Sequence, residues 1–176
     1  MKNYEELLKL AQQGDAGAQY DTAYMLYHGK GVEKDREKAL YWYSQSAGQG
    51  NCDAIYELGS MYQYGRGTAK NMALALEQYE KAALCGSIHA RTDLGTIYLY
   101  GNGVKADYAK ALEWLTFAAE KGDARAQFEL GSMYYNGTGI KTDRFKALHW
   151  YKKAARQGDS RAQAEVDALE TAVKPY

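Results

Sequence analysis

The sequence predicts an all-α protein, namely a right-handed α-α solenoid of stacked helix-turn-helix repeats. Apolar residues recur at spacings of three and four, and no alternating strand pattern is present. The chain has 18 glycines but a single proline, Pro175, a composition typical of helices joined by many turns. A framing glycine returns every 36 residues, at Gly14, Gly50, Gly86, Gly122 and Gly158. One 36-residue hairpin cannot cover its own apolar faces, so the repeats must stack.

Charge and hydropathy exclude several classes of partner. The chain has 22 basic and 22 acidic residues, so no net field draws it to nucleic acid or to an anionic membrane. It contains no apolar run of secretory length, and nothing approaches the roughly 20 apolar residues of a membrane span. We therefore expect a soluble chain with no membrane insertion. The cytoplasm is slightly favoured, unless a leader for the periplasm or for secretion has been removed.

The repeats are expected to form one domain over residues 1–176. The stretch "YEELLKLAQQ" matches the second half of a repeat's second helix, so a partial N-terminal helix is predicted at 3–13. Four full repeats follow at about 14–49, 50–85, 86–121 and 122–157. A capping helix is predicted at 158–172, where Asp167 and Glu170 replace the usual glycine and tyrosine and make the outer edge polar.

Each repeat begins with a first helix, helix A, which in the second repeat is predicted from about Cys52 to Tyr64. The residue before it has a side chain that accepts hydrogen bonds from the first N–H groups of a helix. The framing glycine just before that residue supplies the left-handed conformation that ends the preceding helix. The predicted N-caps of helix A are Asp15, Asn51, Ser87, Asp123 and Asp159.

A Gly-x-Gly turn follows helix A, and its first copy, Gly29-Lys30-Gly31, has the composition of a phosphate-binding turn. The turn returns in three more repeats with Arg66, Asn102 or Thr138 in the middle. It has no preceding strand and no GK[ST] ending, as a nucleotide loop requires. We therefore predict a structural turn.

The second helix, helix B, follows the turn and begins at a further cap. Alanine-leucine pairs and paired alanines let neighbouring backbones approach closely, and large residues such as Trp42 and Trp114 fill the gaps beside them. The predicted N-caps of helix B are Asp35, Asn71, Asp107 and Asp143.

The combined pattern, A-x-x-x-L-G-x-x-Y-x-x-G-x-G followed by K-A-L-x-W-Y-x-x-A-A-x-x-G, closely resembles the Sel-1-like repeat family. Residues 126–158 are nearly a consensus copy, and the period of 36 differs from the 34 of the related tetratricopeptide repeats. The resemblance implies a scaffold or adaptor that holds proteins or peptides in a concave groove. Such proteins are often found in bacterial signalling, secretion or host contact, or in eukaryotic quality-control complexes.

A candidate groove lies on helix A, opposite the recurring leucine, glycine and tyrosine. It comprises the residues three, six, ten, thirteen and fourteen places after the framing glycine, and seven of the chain's 17 tyrosines lie there. Tyrosine offers a large contact area and a polar group at low entropic cost, which suits recognition. The alternative is that the rings pack inside the superhelix and contact no ligand. The candidate residues are Tyr20, Tyr24, Tyr27, His28, Tyr56, Gln63, Tyr64, His89, Thr92, Leu99, Tyr100, Arg125, Phe128, Tyr135 and Asn136.

Acidic residues recur at the seventh place after the framing glycine: Asp21, Glu57, Asp93, Glu129 and Glu165. Such a ladder would attract a basic peptide. The alternative is local pairing within one helix, Arg125 with Glu129 and Arg161 with Glu165 at i,i+4. We favour local pairing in the fourth and fifth repeats and leave Glu57 open.

The chain shows no catalytic motif. His28, His89 and His149 lie in different registers, and neither HExxH nor GxSxG occurs. Some cysteine-rich relatives have been linked to β-lactam hydrolysis, but S-x-x-K and K-T-G are absent. We therefore predict a non-enzymatic, protein- or peptide-binding monomer with no metal and no cofactor. The alternatives are carbohydrate or cell-wall fragment binding, a β-lactamase-like hydrolase, and weak self-association through the exposed ends.

The two cysteines, Cys52 and Cys85, lie at the same end of the second hairpin, where a disulfide is geometrically conceivable. Relatives with structural disulfides have cysteine at positions that Ala83 and nearby residues fill here, so the resemblance does not support a bond. We expect two small, half-buried thiols.

Overall fold

A computed structural model describes residues 2–171 of the chain. This part contains ten helices and no strand, so the predicted all-α class, a solenoid of 36-residue helical hairpins, is confirmed. The predicted end of the capping helix at Ala172 lies outside the described residues, as does Pro175. The helices are α1 (Tyr4–Gln12), α2 (Ala16–His28), α3 (Arg36–Gly48), α4 (Cys52–Tyr64), α5 (Met72–Leu84), α6 (Ile88–Tyr100), α7 (Tyr108–Glu120), α8 (Ala124–Asn136), α9 (Arg144–Arg156) and α10 (Ser160–Thr171).

Side-chain caps begin the helices where the sequence predicts them. The Asp15 carboxylate accepts a hydrogen bond from the Ala18 N–H at 2.7 Å, and the Asp35 carboxylate accepts one from Lys38 at 2.9 Å. These bonds satisfy N–H groups that have no partner within the helix. The same arrangement is confirmed at Asn51, Asn71, Ser87, Asp107, Asp123, Asp143 and Asp159.

The Gly-x-Gly segments are tight turns, as predicted. Gly65 ends α4 with φ of 65°, and Gly67 has φ of 76°, a conformation that L side chains rarely adopt. A Cβ on Gly67 would lie 2.3 Å from the backbone oxygen of Arg36, so the two segments touch through their backbones. The second glycine therefore serves packing between a turn and the preceding helix B.

The described part of the chain forms two compact units, which divide between Ala90 and Arg91. In the first unit, the core includes Leu26, Tyr43, Leu58 and Met61, all nearly inaccessible to solvent. In the second, helices α8, α9 and α10 contribute a core that includes Leu130, Tyr151 and Val166. None of the described helices is long and apolar enough to cross a membrane.

Cys52 and Cys85 form a disulfide, so the expectation of two thiols is wrong. Cys52 is the first residue of α4 and Cys85 directly follows α5, and their Cα atoms are 5.8 Å apart. This separation lies within the usual range for a disulfide. The antiparallel hairpin brings the two residues together. Relatives with disulfides have their cysteines at other positions, so the resemblance could not predict this bond.

Candidate binding surface

The fifteen predicted residues, called the groove face below, differ in exposure. Seven are exposed: His28, Tyr64, His89, Tyr100, Arg125, Tyr135 and Asn136. Five are half-buried: Tyr20, Tyr24, Tyr56, Gln63 and Phe128. Tyr27, Thr92 and Leu99 are buried and offer little surface to a ligand.

In three repeats, the aromatic ring six places after the framing glycine packs against the buried ring of helix B in the same repeat. The ring centroids are 5.5 Å apart for Tyr20 and Tyr43, and 5.7 Å apart for Tyr56 and Tyr79. In the second unit Phe128 and Tyr151 are 5.6 Å apart. These rings belong to the core on one side and to the groove face on the other, so the two interpretations of the tyrosines are not exclusive.

Charged groups in the second unit pair between repeats. The Arg125 guanidinium donates to the Asp93 carboxylate at 2.7 Å and to the Thr96 hydroxyl at 3.2 Å. Asp93 belongs to the preceding repeat, seven places after its framing glycine.

Arg161 follows the same pattern one repeat later. Its guanidinium lies 2.7 Å from the Asp159 carboxylate, 4.0 Å from Glu129 and 4.2 Å from the centroid of the Phe128 ring. The predicted local pairing, in which Arg161 binds Glu165 and Arg125 binds Glu129, is therefore wrong. The residue three places after one framing glycine lies near the residue seven places after the previous one, as Arg125 does with Asp93 and Arg161 with Glu129.

Glu129 is a buried acceptor rather than an exposed acid. It is 5% exposed, and its carboxylate accepts a hydrogen bond from the Tyr100 hydroxyl. Burial, and then this bond, raise the pKa of Tyr100 above its usual value. The position of Glu129 in the acidic ladder therefore offers no carboxylate to a partner.

The first unit has a different electrostatic character. Burial, followed by the charges of three acids, raises the pKa of Tyr20 to about 12. In decreasing order of effect these acids are Glu57, Asp53 and Asp21. The pKa of Glu57 is itself raised, first by burial and then by Asp53, and is lowered by Arg66. Within residues 2–171, none of these three acids is in an ion pair.

Two cations border this acidic region, and the sequence predicts no role for either of them. Lys30 donates to the Tyr24 hydroxyl at 2.8 Å, and Arg66 donates to the Tyr27 hydroxyl at 2.7 Å. Both are the middle residues of Gly-x-Gly turns, which the sequence predicts only as connections. The middle residue of the turn varies from repeat to repeat, and this variation could have indicated a role beyond the connection.

No catalytic arrangement is visible in the described part of the chain. His28 lies against the rings of Tyr24 and Tyr27, with centroids 4.4 and 4.9 Å away. Burial, then Lys30 and Lys34, lower its pKa. Residues 2–171 contain no cluster of three histidine, cysteine or acidic side chains that would hold a metal ion.

The repeated hairpins, with a variable face on otherwise uniform helices, define the class of helical-repeat proteins. Residues 16–51, 52–87, 88–123 and 124–159 each match the Sel1 repeat. The chain belongs to the Sel1 repeat family. Proteins of this family generally mediate protein–protein interactions, and the fold is typically a non-catalytic scaffold.

Solved structures with the same fold come from bacteria. A protective antigen of uropathogenic Escherichia coli is 38% identical with a TM-score of 0.89, over 92% of this chain and 35% of that one. A Sel1 repeat protein from Oxalobacter formigenes is 37% identical with a TM-score of 0.83, over 94% of this chain and 48% of that one.

An immunity protein from Pseudomonas aeruginosa is 30% identical with a TM-score of 0.59, over 90% of this chain and 59% of that one. The chain thus spans between about a third and three fifths of the length of these proteins. Among curated proteins, no similar sequence was found.

Proposed function

We propose that the chain is a non-enzymatic module that binds a protein or peptide through the groove face. The observation that carries this proposal is a set of exposed tyrosine rings thirteen or fourteen places after the framing glycine, in the last turn of helix A. Tyr64 is 58% exposed, Tyr100 59% and Tyr135 38%. Large aromatic side chains with few rotatable bonds are the commonest energetic anchors of protein interfaces.

Neighbouring groups hold several of these rings in place. The Arg66 guanidinium lies 4.7 Å from the centroid of the Tyr64 ring, and Tyr100 is bonded to Glu129. A side chain that is already ordered loses less entropy when a partner binds. The variation of this face between repeats, against a constant core, supports recognition of one particular partner.

The test requires variants that alter the face without altering the core. Tyr56 packs against Tyr79, and Tyr100 bonds the buried Glu129, so replacing either one also disturbs the fold. Tyr64 and Tyr135 are better choices. We propose affinity capture with the intact chain and with a Tyr64→Ala, Tyr135→Ala variant.

The matched control is the pair Tyr41→Ala, Tyr108→Ala. These tyrosines are 55% and 44% exposed, but they lie on the second helices of their repeats, away from the groove face. We expect the groove pair to lose the captured protein by about tenfold or more, and the control pair to retain it. Equal loss in both pairs would contradict the proposal, as would retention by the groove pair. Capture of a polysaccharide instead would favour the carbohydrate alternative.

A further inference from the structure

The second unit contains a binding site for a guanidinium group, and the side chain of Arg161 occupies it. The Arg161 guanidinium carbon lies 4.2 Å from the centroid of the Phe128 ring, and one of its nitrogens lies 4.0 Å from the Glu129 carboxylate. The Asp159 carboxylate, at 2.7 Å, holds the other side of the guanidinium. An aromatic face beside a carboxylate attracts a guanidinium by cation–π and Coulomb forces. We call these three positions the arginine slot: the sixth and seventh places after one framing glycine and the third place after the next.

The same slot in the first unit keeps an aromatic ring and a carboxylate but has lost the arginine, and Asn51 stands at the place of Asp159. Three repeats earlier, the equivalents of Phe128 and Glu129 are Tyr20 and Asp21, again an aromatic ring and a carboxylate. The equivalent of Arg161 is Asp53, an acid. The position that supplies a cation in the second unit therefore supplies a negative charge in the first.

The acids of this slot form no ion pair within the described chain. Asp21, Asp53 and Glu57 all lie near enough to Tyr20 to raise its pKa, and none is in an ion pair within residues 2–171. The neighbouring cations, Lys30 and Arg66, donate to tyrosine hydroxyls instead. A cationic side chain that enters this slot would meet three carboxylates that no ion pair of the described residues already occupies.

The ring of Tyr20 packs against a buried tyrosine whose hydroxyl is unpaired in the described part of the chain. Tyr43 is 0% exposed, its ring packs against Tyr20, and its hydroxyl has no hydrogen-bond partner among the described residues. The equivalent hydroxyls of Tyr79 and Tyr151 bond Gln63 and Ser132, at 2.7 and 3.1 Å. An unmade hydrogen bond at a buried group is costly and uncommon.

We propose that the slot formed by Tyr20, Asp21 and Asp53 receives an arginine side chain of the partner protein, in the way that the chain's own Arg161 is received by Phe128 and Glu129. The inference rests on the proposed function, because it assigns the chemistry of the partner of that face. Arginine is favoured over lysine because a planar guanidinium can stack on a ring while its edge donates to two carboxylates.

A short peptide tests the slot without knowledge of the partner. The probe is acetyl-Gly-Gly-Arg-Gly-Gly-amide, titrated into the full chain and followed by the backbone amide signals in NMR spectra. We expect saturable shifts centred on Tyr20 and Asp53. The same peptide with citrulline, which has the shape of arginine without its charge, should bind at least about tenfold more weakly, and the lysine peptide should bind more weakly than the arginine peptide. Equal binding of the arginine and citrulline peptides would overturn the proposal.

The decisive variant is Asp53→Arg, which gives the first unit the residue that the second unit has at this place. Asp53 is exposed, so the variant should fold and fill the slot internally. We expect it to lose arginine-peptide binding by about tenfold or more. The matched control is Glu113→Arg, which makes the same charge change on an exposed residue of α7 and should leave binding unchanged.

Unchanged binding by the Asp53→Arg variant, or equal losses in both variants, would overturn the inference. Asp53→Asn is the second variant: it removes the acid with little change in size, and it should weaken binding even if Asp53→Arg does not fold. The experiments distinguish failure of the proposed function from failure of the arginine slot. Protein capture that depends on Tyr64 and Tyr135, but with no binding of the arginine peptide, would leave only the proposed function. Peptide binding with no captured protein would leave only the slot.

Discussion

The backbone of Gly59 lies directly against the ring of Tyr79. A Cβ on Gly59 would be 2.7 Å from the Tyr79 Cδ1 atom, which is shorter than any ordinary contact. The same relationship holds for Gly131 and Tyr151, where the distance is again 2.7 Å. The recurring glycine of helix A therefore provides the space in which the large buried side chain of helix B is seated.

Replacing Gly59 with alanine should destabilise the protein. The added methyl group would force the Tyr79 ring away from its position, and overpacking of this kind costs about 1–3 kcal/mol. Gly48 is the control, because it is an exposed helical glycine, and a Cβ added there would meet nothing within 4 Å. Gly48→Ala should raise the free energy of unfolding by about 0.4–1 kcal/mol. Urea unfolding of both variants measures the difference, and similar effects in the two would show that Gly59 is not a packing residue.

The disulfide between Cys52 and Cys85 should stabilise the first unit. It closes a loop of 33 residues, and cross-links of this size are typically worth about 2–4 kcal/mol. We expect the Cys52→Ser, Cys85→Ser variant to lose that amount in urea unfolding, and thiol titration of the unreduced protein to find no thiol. Reductant should lower the stability of the native chain and leave the variant unaffected. Disulfides are typical of oxidising compartments, so the bond weakens the slight preference for the cytoplasm.

Leu94 is a core residue whose truncation should be costly. It is 0% exposed, so Leu94→Ala leaves a cavity and should reduce the free energy of unfolding by about 2–5 kcal/mol. Leu84 is 85% exposed and is the matched control, for which a change of less than about 0.5 kcal/mol is expected. If thermal unfolding of the two variants coincided, the assignment of the recurring leucine to packing would be contradicted.

The hairpins could be predicted from sequence because their signals are local. Asn51 caps the helix that it precedes, and Gly65 ends that helix, so the relevant residues are neighbours in the chain. The ion pair of Arg125 with Asp93 could not be predicted from charge spacing within one helix, because it joins two repeats. The 36-residue period indicates this pair, since an arginine and an acid recur at the same two positions as Arg161 and Glu129.

The burial of the groove face could be predicted only in part. Leu99 and Tyr135 occupy the same place in successive repeats, yet Leu99 is 8% exposed and Tyr135 38%. Helical position fixes which way a side chain points, whereas exposure depends on the size of its neighbours across the whole face. The slot at Tyr20 and Asp53 could not be predicted from the sequence, because it is defined by its equivalence to Phe128 and Arg161, whose contact only the structure shows.

The half-buried carboxylate of Glu57 should lower the stability of the fold at neutral pH. Burial, and then the charge of Asp53, raise its pKa above the usual 4.5, so the folded chain holds this proton more tightly than the unfolded chain. The stability that protonation provides is therefore fully present at low pH and is lost as pH rises through the raised pKa. Glu57→Gln keeps the neutral form at every pH. We expect the variant to be more stable than the native chain at pH 7, by on the order of 0.5 kcal/mol, with the difference disappearing below about pH 4.

The measurement is urea unfolding of the two proteins across this pH range. The control is the same substitution in an Asp53→Asn background. The charge of Asp53 contributes to the raised pKa, so its removal should lower the pKa of Glu57 and reduce the gain from Glu57→Gln. A loss of stability at pH 7 would show instead that the Glu57 charge is satisfied within the fold. A gain in stability combined with weaker binding of the arginine peptide would show that this acid is kept for recognition, since residues retained for function are often those that the fold alone would not favour.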